Sequence, residues 1–463
     1  MKVSTPRDVA AAMVLAAAAA LLVGLSTVRR GDWYTRGDPY GSLLVSQAIL
    51  EQGSVSLDPY GSPGELARKY AHAVYVQDGR MYHFFPLGTP VLALPFVAVA
   101  NALSLDMTDP ADDSACQGWL AALTVALSAI GSYLLCRIRL GMGRSLLLAF
   151  LFVFGTSLIS TCGVALWSFD FEVPLVLAAL LLLLRPSGRP RGRWARAFVL
   201  GTLLFLAYMC RPTAAALVVP LAVYLLLTDR PLGLRLLIVL AFWALVMGIL
   251  SLGEYGSLLP PYYRPGRLGS PDFLRALAGN LVSPSRGLLV FSPFFVPVLV
   301  MGILRFGKDS ARLAMLFSWL VLEVLLVSTF PHWWGGHSFG PRLLTDAVPA
   351  VLAIAALTAP AGSEHRSRAY WIAVIILGLA SVAIHSAQGL FNSATARWNR
   401  PPDVDVHPRT VFDWDYPQFC ITDAALRRRM ADVRARKRAT RELLNWLAAT
   451  LGAEGRRGTE TER

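Results

Sequence analysis

The chain has 463 residues, 55% of them hydrophobic and only 16% charged, with a formal net charge of +13. A soluble protein of this length carries roughly a quarter charged residues, so a water-soluble globular fold is excluded. The positive charge does not call for a nucleic-acid partner. Much of it lies in short linkers between apolar runs, where it sets membrane orientation.

The N-terminus, "MKVSTPRDVAAAMVLAAAAALLVGLSTVRRG", has an apolar stretch longer than a signal-peptide core. No small-x-small pattern precedes Arg29, so it reads as an uncleaved first membrane helix. Further apolar runs lie near 85–103, 117–136, 145–166, 168–184, 195–210, 213–228, 235–255, 287–304, 311–330, 342–358 and 370–388. Runs of about 17–22 residues are long enough to cross a bilayer as helices, whereas barrel strands are shorter and alternate.

Charge orders these runs. The linker 137–144, "RIRLGMGR", has three arginines and belongs inside, while 104–116, "SLDMTDPADDSAC", has four aspartates and no base and belongs outside. Both hold if 85–103 does not cross. That run contains Pro86, Pro90 and Pro95, and proline removes a helix donor. It is expected to dip into the membrane or lie beside it, both ends outside. Eleven spans remain. The basic linkers 185–196, 228–235, 305–312 and 358–369 then all fall inside.

The expectation is an all-α polytopic membrane protein of about eleven transmembrane helices over 8–388, with its N-terminus inside. The outer side receives a large first loop (29–116), 167–172, 210–214, a second long loop (256–286), 332–342 and the C-terminal segment 389–463. The charged tail 421–463 is helix-prone with apolar positions roughly on one face, suited to the membrane surface or to the protein. Its positive charge runs against the inside rule, which governs long tails weakly. Cys136, Cys162 and Cys210 fall in or at the ends of apolar runs as small core residues. Cys116 and Cys420 fall in outer loops, which leaves a disulfide open.

Polar residues gather on the outer side. Asp38, just past the first helix, suits a general base or a helix N-cap. Asp170 and Glu172 in "WSFDFEVP" are costly at a membrane edge unless solvated or paired; the alternative is an anchoring loop around Trp167. Arg211 suits a lipid phosphate or a snorkelling side chain. Ser283, Ser285 and Arg286 open a helix, which makes either an anion site or an ordinary cap.

The stretch "HWWGGHSFGPRLL" (332–344) is the richest. Gly335, Gly336 and Gly340 permit close backbone approach. Arg342 opens the next helix against its dipole, which a bound anion explains. His332 and His337 are weakly spaced as metal ligands; no metal is assigned, and a divalent cation stays open. No Walker loop, Rossmann fingerprint or nucleophile elbow appears.

In this order the chain resembles the polytopic glycosyltransferases of the GT-C fold, most of all bacterial family-39 and Rgt-like enzymes. The segments that carry the likeness are "RGDPYGSLLVSQAILEQGSVSLDP", "GRMYHFFPLGTPVLALPF", "WSFDFEVPLVLAALLLLL", "SPSRGLLVFSPFF" and "GGHSFGPRLLTDAVP". The resemblance covers about residues 8–420, and the tail lies outside it. Many family-39 members carry Asp-Glu in the first loop. Here Asp38 precedes Pro39, so acceptor type is not carried over.

The resemblance implies an inner-membrane enzyme that moves a sugar from a polyprenyl-phosphate donor to an envelope glycan, lipid or protein at the outer face. In that reading Asp38 is the base, with Asp170 and Glu172 placing acceptor or cation. Arg211, Arg286 and Arg342 hold the donor phosphate. Tyr40, Tyr82, His83, His332, His337, Trp333 and Trp334 line the substrate. The rivals are a transporter or flippase and a non-catalytic envelope scaffold. Transporters usually place ionisable groups at mid-membrane and show inverted repeats, and no repeat is found here.

Overall fold

The computed structural model describes residues 5–185, 192–264, 266, 268–270, 272–360, 362 and 365–460. Half of the basic linker 185–196 lies outside them. Among the described residues the regular structure is helical apart from one two-stranded antiparallel sheet.

Helix α1 (Pro6–Leu25) starts at a capping box between Thr5 and Asp8, which satisfies the free N–H groups of its first turn. The first loop holds α2 (Ser42–Gln52), α3 (Pro63–Tyr70), β1 (Val74–Gln77) and β2 (Arg80–His83). They close over their own core of Tyr40, Leu43, Leu44, Leu57, Leu66 and Met81. Then come α4 (Gly88–Ala102), α5 (Pro110–Cys136), α6 (Met142–Phe154), α7 (Ser168–Leu184), α8 (Arg193–Cys210), α9 (Ala215–Thr228) and α10 (Arg230–Tyr255). The second half has α11 (Phe273–Val282), α12 (Phe295–Leu304), α13 (Ser310–Ser328), α14 (Val348–Thr358), α15 (His365–Val382) and α16 (Asp423–Glu460).

Six stretches among the described residues are long and apolar enough to cross a membrane: Pro6–Arg30, Pro110–Cys136, Arg193–Cys210, Arg230–Tyr255, Ser310–Ser328 and His365–Phe391. Five further apolar helices are shorter. Large apolar side chains stay exposed on the long helices, for example Val14 and Leu21 on α1 and Phe242, Leu245 and Ile249 on α10. Water would penalise that surface and hydrocarbon does not, so this is a multi-pass membrane protein.

Polar contacts sort the helix ends into two layers. In one, Arg137 Nε donates to Asp8 Oδ1 at 2.7 Å, which sets the end of α5 beside the start of α1. Arg139 and Arg312 pair with Asp309 at 3.0 and 3.1 Å, and Arg144 donates to the Gly362 carbonyl at 3.2 Å. Three basic linkers thus meet. At the opposite end, Ser26 donates to the Leu390 carbonyl at 2.8 Å and Thr27 to that of Phe391 at 3.0 Å.

The proline-rich segment keeps its helix. Pro95 lies inside α4, and 15 residues span about 22 Å at the usual rise, short of a ~30 Å hydrocarbon core. Its first residue presses on the end of α8: a Cβ on Gly88 would sit 2.2 Å from the Cys210 nitrogen. Its last residues lead by a short turn into the start of α5. Backbone cannot move aside as a side chain can, so Gly88→Ala is expected to destabilise by about 1–3 kcal/mol or more. Thermal unfolding of the detergent-solubilised protein checks this.

The C-terminal segment is not a detached tail. Trp398, Val404, Val411, Ile421 and Leu426 pack with Trp333, Trp334 and Ala276 in one cluster, which caps the layer containing Ser26 and Leu390. All five cysteines are free; Cys116 is buried and Cys420 exposed, so the disulfide left open above is not formed.

Candidate functional site

Two segments organise the polar groups of the capped layer. One is the start of α7, Trp167 to Glu172. The other is a 3-10 helix, Arg342–Ala347, that leads into α14.

Arg342 is mostly buried, and its guanidinium carbon stands 4.1 Å from the centre of the Trp167 ring. Its Nη1 pairs with Asp38 Oδ2 at 3.0 Å. The other oxygen, Asp38 Oδ1, meets His72 Nε2 at 3.1 Å. Asp38 is thus held between an arginine and a histidine while its side chain stays 32% exposed. Burial works to raise its carboxyl, but Arg342 and His72 outweigh it and hold the group below the usual carboxylate range. The hydrogen bond to Asp38, opposed by burial, raises His72 above the usual imidazole value.

Beneath Arg342 is a cavity of about 10 Å³ lined by Tyr34, Ser160, Thr161, Trp167, Ser338 and Arg342 among others, room for about one water. Five buried polar atoms on these residues have no protein partner: Tyr34 Oη, Thr161 Oγ1, Trp167 Nε1, Ser338 Oγ and Arg342 Nε. All five can donate, and buried donors left unmade are costly. The wall therefore suits an acceptor oxygen.

A second cluster lies two residues along α7. The Arg211 guanidinium sits 3.8 Å from the Phe169 ring centre. Its Nε meets Asp346 Oδ2 at 2.9 Å and Glu172 Oε2 at 3.7 Å, and its Nη1 donates to Ser168 at 3.2 Å. Thr213 also donates to Asp346. Glu323, on α13, is fully buried, and neither of its carboxyl oxygens has a hydrogen-bond partner. Three acids thus share one arginine in a low-dielectric setting. Asp170 is separate: Thr124 donates to its Oδ1 at 3.0 Å.

Several expected roles are redirected. Arg286 offers nothing to a phosphate, because all five of its N–H groups are taken. They donate to the carbonyls of Trp334, Ser285 and Gly336 and to the side chains of Gln418 and Asn399. Burial pushes this guanidinium down to about 9. It clamps the cap. Arg286→Lys keeps a charge but loses the planar fork, and is expected to cost about 1–3 kcal/mol and to speed proteolytic nicking of 392–422, read by mass mapping.

Trp333 and Trp334 are likewise cap core. Trp333 packs near Phe412, and Trp334 donates to Asp405 at 2.8 Å, so neither ring is open for stacking on a substrate. Ser283 caps Arg286 through its backbone N–H, and Ser285 is buried. Arg342 begins a 3-10 turn, not an α-helix. Tyr40 packs against Tyr70 with ring centres 4.5 Å apart and ring planes tilted by 41°. Tyr82 donates to the Glu254 carbonyl. His83 is buried against the Tyr40 carbonyl at 3.3 Å, and burial pushes it down to about 4. It is neutral at physiological pH.

The two histidines of the glycine-rich loop separate. His332 is exposed near the Trp334 ring. His337 meets Asp403 at 2.8 Å and Asp405 at 3.5 Å. Those three groups offer ligand atoms within 4.8 Å of one another, but Asp403 is already paired with Arg400 at 3.1 Å.

Sequence reasoning missed His72, Glu323 and Asp346. Nothing local marks His72. Glu323 and Asp346 did carry a signal: each is a lone acid inside an apolar run, and an ionisable residue at membrane depth is a functional candidate. Set beside known proteins, the chain matches no family model and no curated protein.

Proposed function

We propose that this protein is an integral-membrane glycosyltransferase that moves a sugar from a polyprenyl-phosphate donor to an envelope acceptor at the outer face of a bacterial inner membrane. The layer with the basic linkers faces the cytoplasm, the capped layer faces out, and eleven segments cross while α4 dips. The observation that carries the reading is the bridge His72–Asp38–Arg342 over the donor-lined cavity. It puts a partly exposed carboxylate beside an arginine with an uncommitted N–H, in the layer where lipid headgroups lie.

In the proposed reaction Arg342 turns to the donor phosphate, on which negative charge grows as the glycosidic C–O bond breaks, and preorganised donors stabilise that charge. Asp38, released from Arg342, accepts the proton of the attacking hydroxyl. Attack opposite the leaving phosphate inverts the anomeric centre. The Arg211 cluster holds the two helix ends that frame the site.

Mass spectrometry of lipid that copurifies with the detergent-extracted protein tests the donor. A polyprenyl-phosphate sugar is expected. Its absence, with no transfer from synthetic donors after reconstitution, overturns the reading. One observation favours transport instead: the carboxyls of Glu172, Asp346 and Glu323 lie buried around one arginine, as proton-coupled carriers place them. Single cysteines at 38 and 342 that label from both sides in a state-dependent way would decide for transport.

A further inference from the structure

Helix α16 has a docked foot and an exposed shank. The foot is pinned to the cap. Leu426 and Arg429 are buried, Arg429 Nη1 donates to the Trp398 carbonyl, and its guanidinium carbon lies 4.0 Å from the Trp398 ring centre. Beyond Val433 the character changes: every residue from 434 to 446 is exposed.

The shank is two-faced. At about 100° per residue, Lys437, Arg441, Arg434 and Arg438 fall in an arc of about 100°. Ala435, Ala439, Leu443 and Trp446 fall roughly opposite, with Arg436 beside Leu443 on that side and Leu444 bordering Lys437; Leu443 is 56% exposed. Four of the five bases on one face with most apolar side chains on the other is the pattern of a helix that lies in a membrane interface and is drawn there by anionic lipid.

The foot also fixes where the shank begins. Asn392 donates to the Ile421 carbonyl at 2.7 Å. Asn392 directly follows the apolar stretch that ends at Phe391, whose carbonyl accepts from Thr27 at the end of α1. Arg397 pairs with Asp423 at the first turn of α16. The helix therefore starts at the level where two stretches long and apolar enough to cross a membrane end.

We infer that residues 434–446 dock on the anionic phospholipid surface of the membrane the chain itself spans, the basic stripe toward headgroups and Leu443 toward acyl chains. This stands apart from the proposed transfer reaction. It also accounts for a basic tail on the side where positive charge is otherwise sparse.

The test uses the full chain with Cys420→Ser, since the other four cysteines are buried. A fluorophore is placed on Leu443→Cys, and the protein is put into nanodiscs with nitroxide on the upper acyl chain. Discs of phosphatidylcholine alone are compared with discs that also hold phosphatidylglycerol. Strong quenching with phosphatidylglycerol is expected. It should be lost in neutral discs, in high salt, and when Arg434, Lys437, Arg438 and Arg441 are all changed to Gln. Those side chains are exposed, so an unchanged gel-filtration profile is expected for that variant. No quenching with phosphatidylglycerol overturns the inference, as does equal quenching in neutral discs. Shielding of the label that appears only when an acidic polysaccharide or a partner protein is added overturns it too.

Discussion

Asp38→Asn in the full-length protein is expected to lower sugar transfer by about 10²–10⁴-fold, the contribution of a positioned general base, with insertion and yield unchanged. The amide keeps the shape and can still bridge His72 and Arg342, but it cannot take a proton. Transfer assayed in proteoliposomes with a polyprenyl-phosphate donor reads the effect. Full activity in the variant removes Asp38 as the base.

The same contacts set a pH window. Asp38 is held below its ordinary value, so its ionic contribution is complete above the unfolded carboxyl value near ~4 and is lost as pH falls through the lower folded value. His72 is raised, so its contribution is complete below the unfolded value near ~6.5 and is lost as pH rises through the higher folded value. The full bridge exists between these limits. Transfer is expected to fall on the alkaline side as His72 deprotonates. His72→Gln should remove that alkaline limb and leave the acid limb in place. A profile of kcat/KM against pH that is unchanged by His72→Gln would show that the histidine only packs against Asp38.

Arg211→Ala is expected to destabilise the protein by about 3–5 kcal/mol, the usual cost of stranding buried charge. The strand here is severe, because Asp346 and Glu172 both face that guanidinium and Glu323 has no partner of its own. Glu323→Gln should go the other way, neutral or mildly stabilising, because it removes one of three buried acids that repel one another. In the double variant Arg211→Ala with Glu323→Gln, part of the loss should return, since contacting residues do not add. Thermal unfolding in detergent measures all three. A loss in Arg211→Ala of the size seen for an exposed arginine would mean that the three acids are held neutral by other means.

Much of this protein could be read before any coordinates. The low share of charged residues and the repeated apolar runs require a multi-pass helical membrane protein, because hydrocarbon tolerates backbone only when helices satisfy it internally. The meeting of 137–144 with 305–312 and Gly362 in one layer agrees with the expectation that those linkers share a side. The choice of Asp38 and Arg342 from distant segments also put together two groups that lie 3.0 Å apart.

The failures have a common cause. Arg286, Trp333 and Trp334 look like ligand-binding residues because their types are costly to bury without a purpose. The purpose turned out to be a cap that the C-terminal segment builds over them. Local sequence carries no sign that Gln418 and Asn399 return to take the guanidinium donors. His72 was invisible for the same reason: its meaning comes from Asp38, 34 positions away.

The sequence by itself determined the solvent of this protein and its helical character, since these follow from residue-by-residue transfer energies. Only the tertiary structure decided which ionised groups are spent on one another and which keep a free hydrogen-bonding atom. That depends on contacts between segments more than a hundred residues apart, as with Arg211 and Asp346. A side chain's chemistry is set by what the fold leaves unpaired.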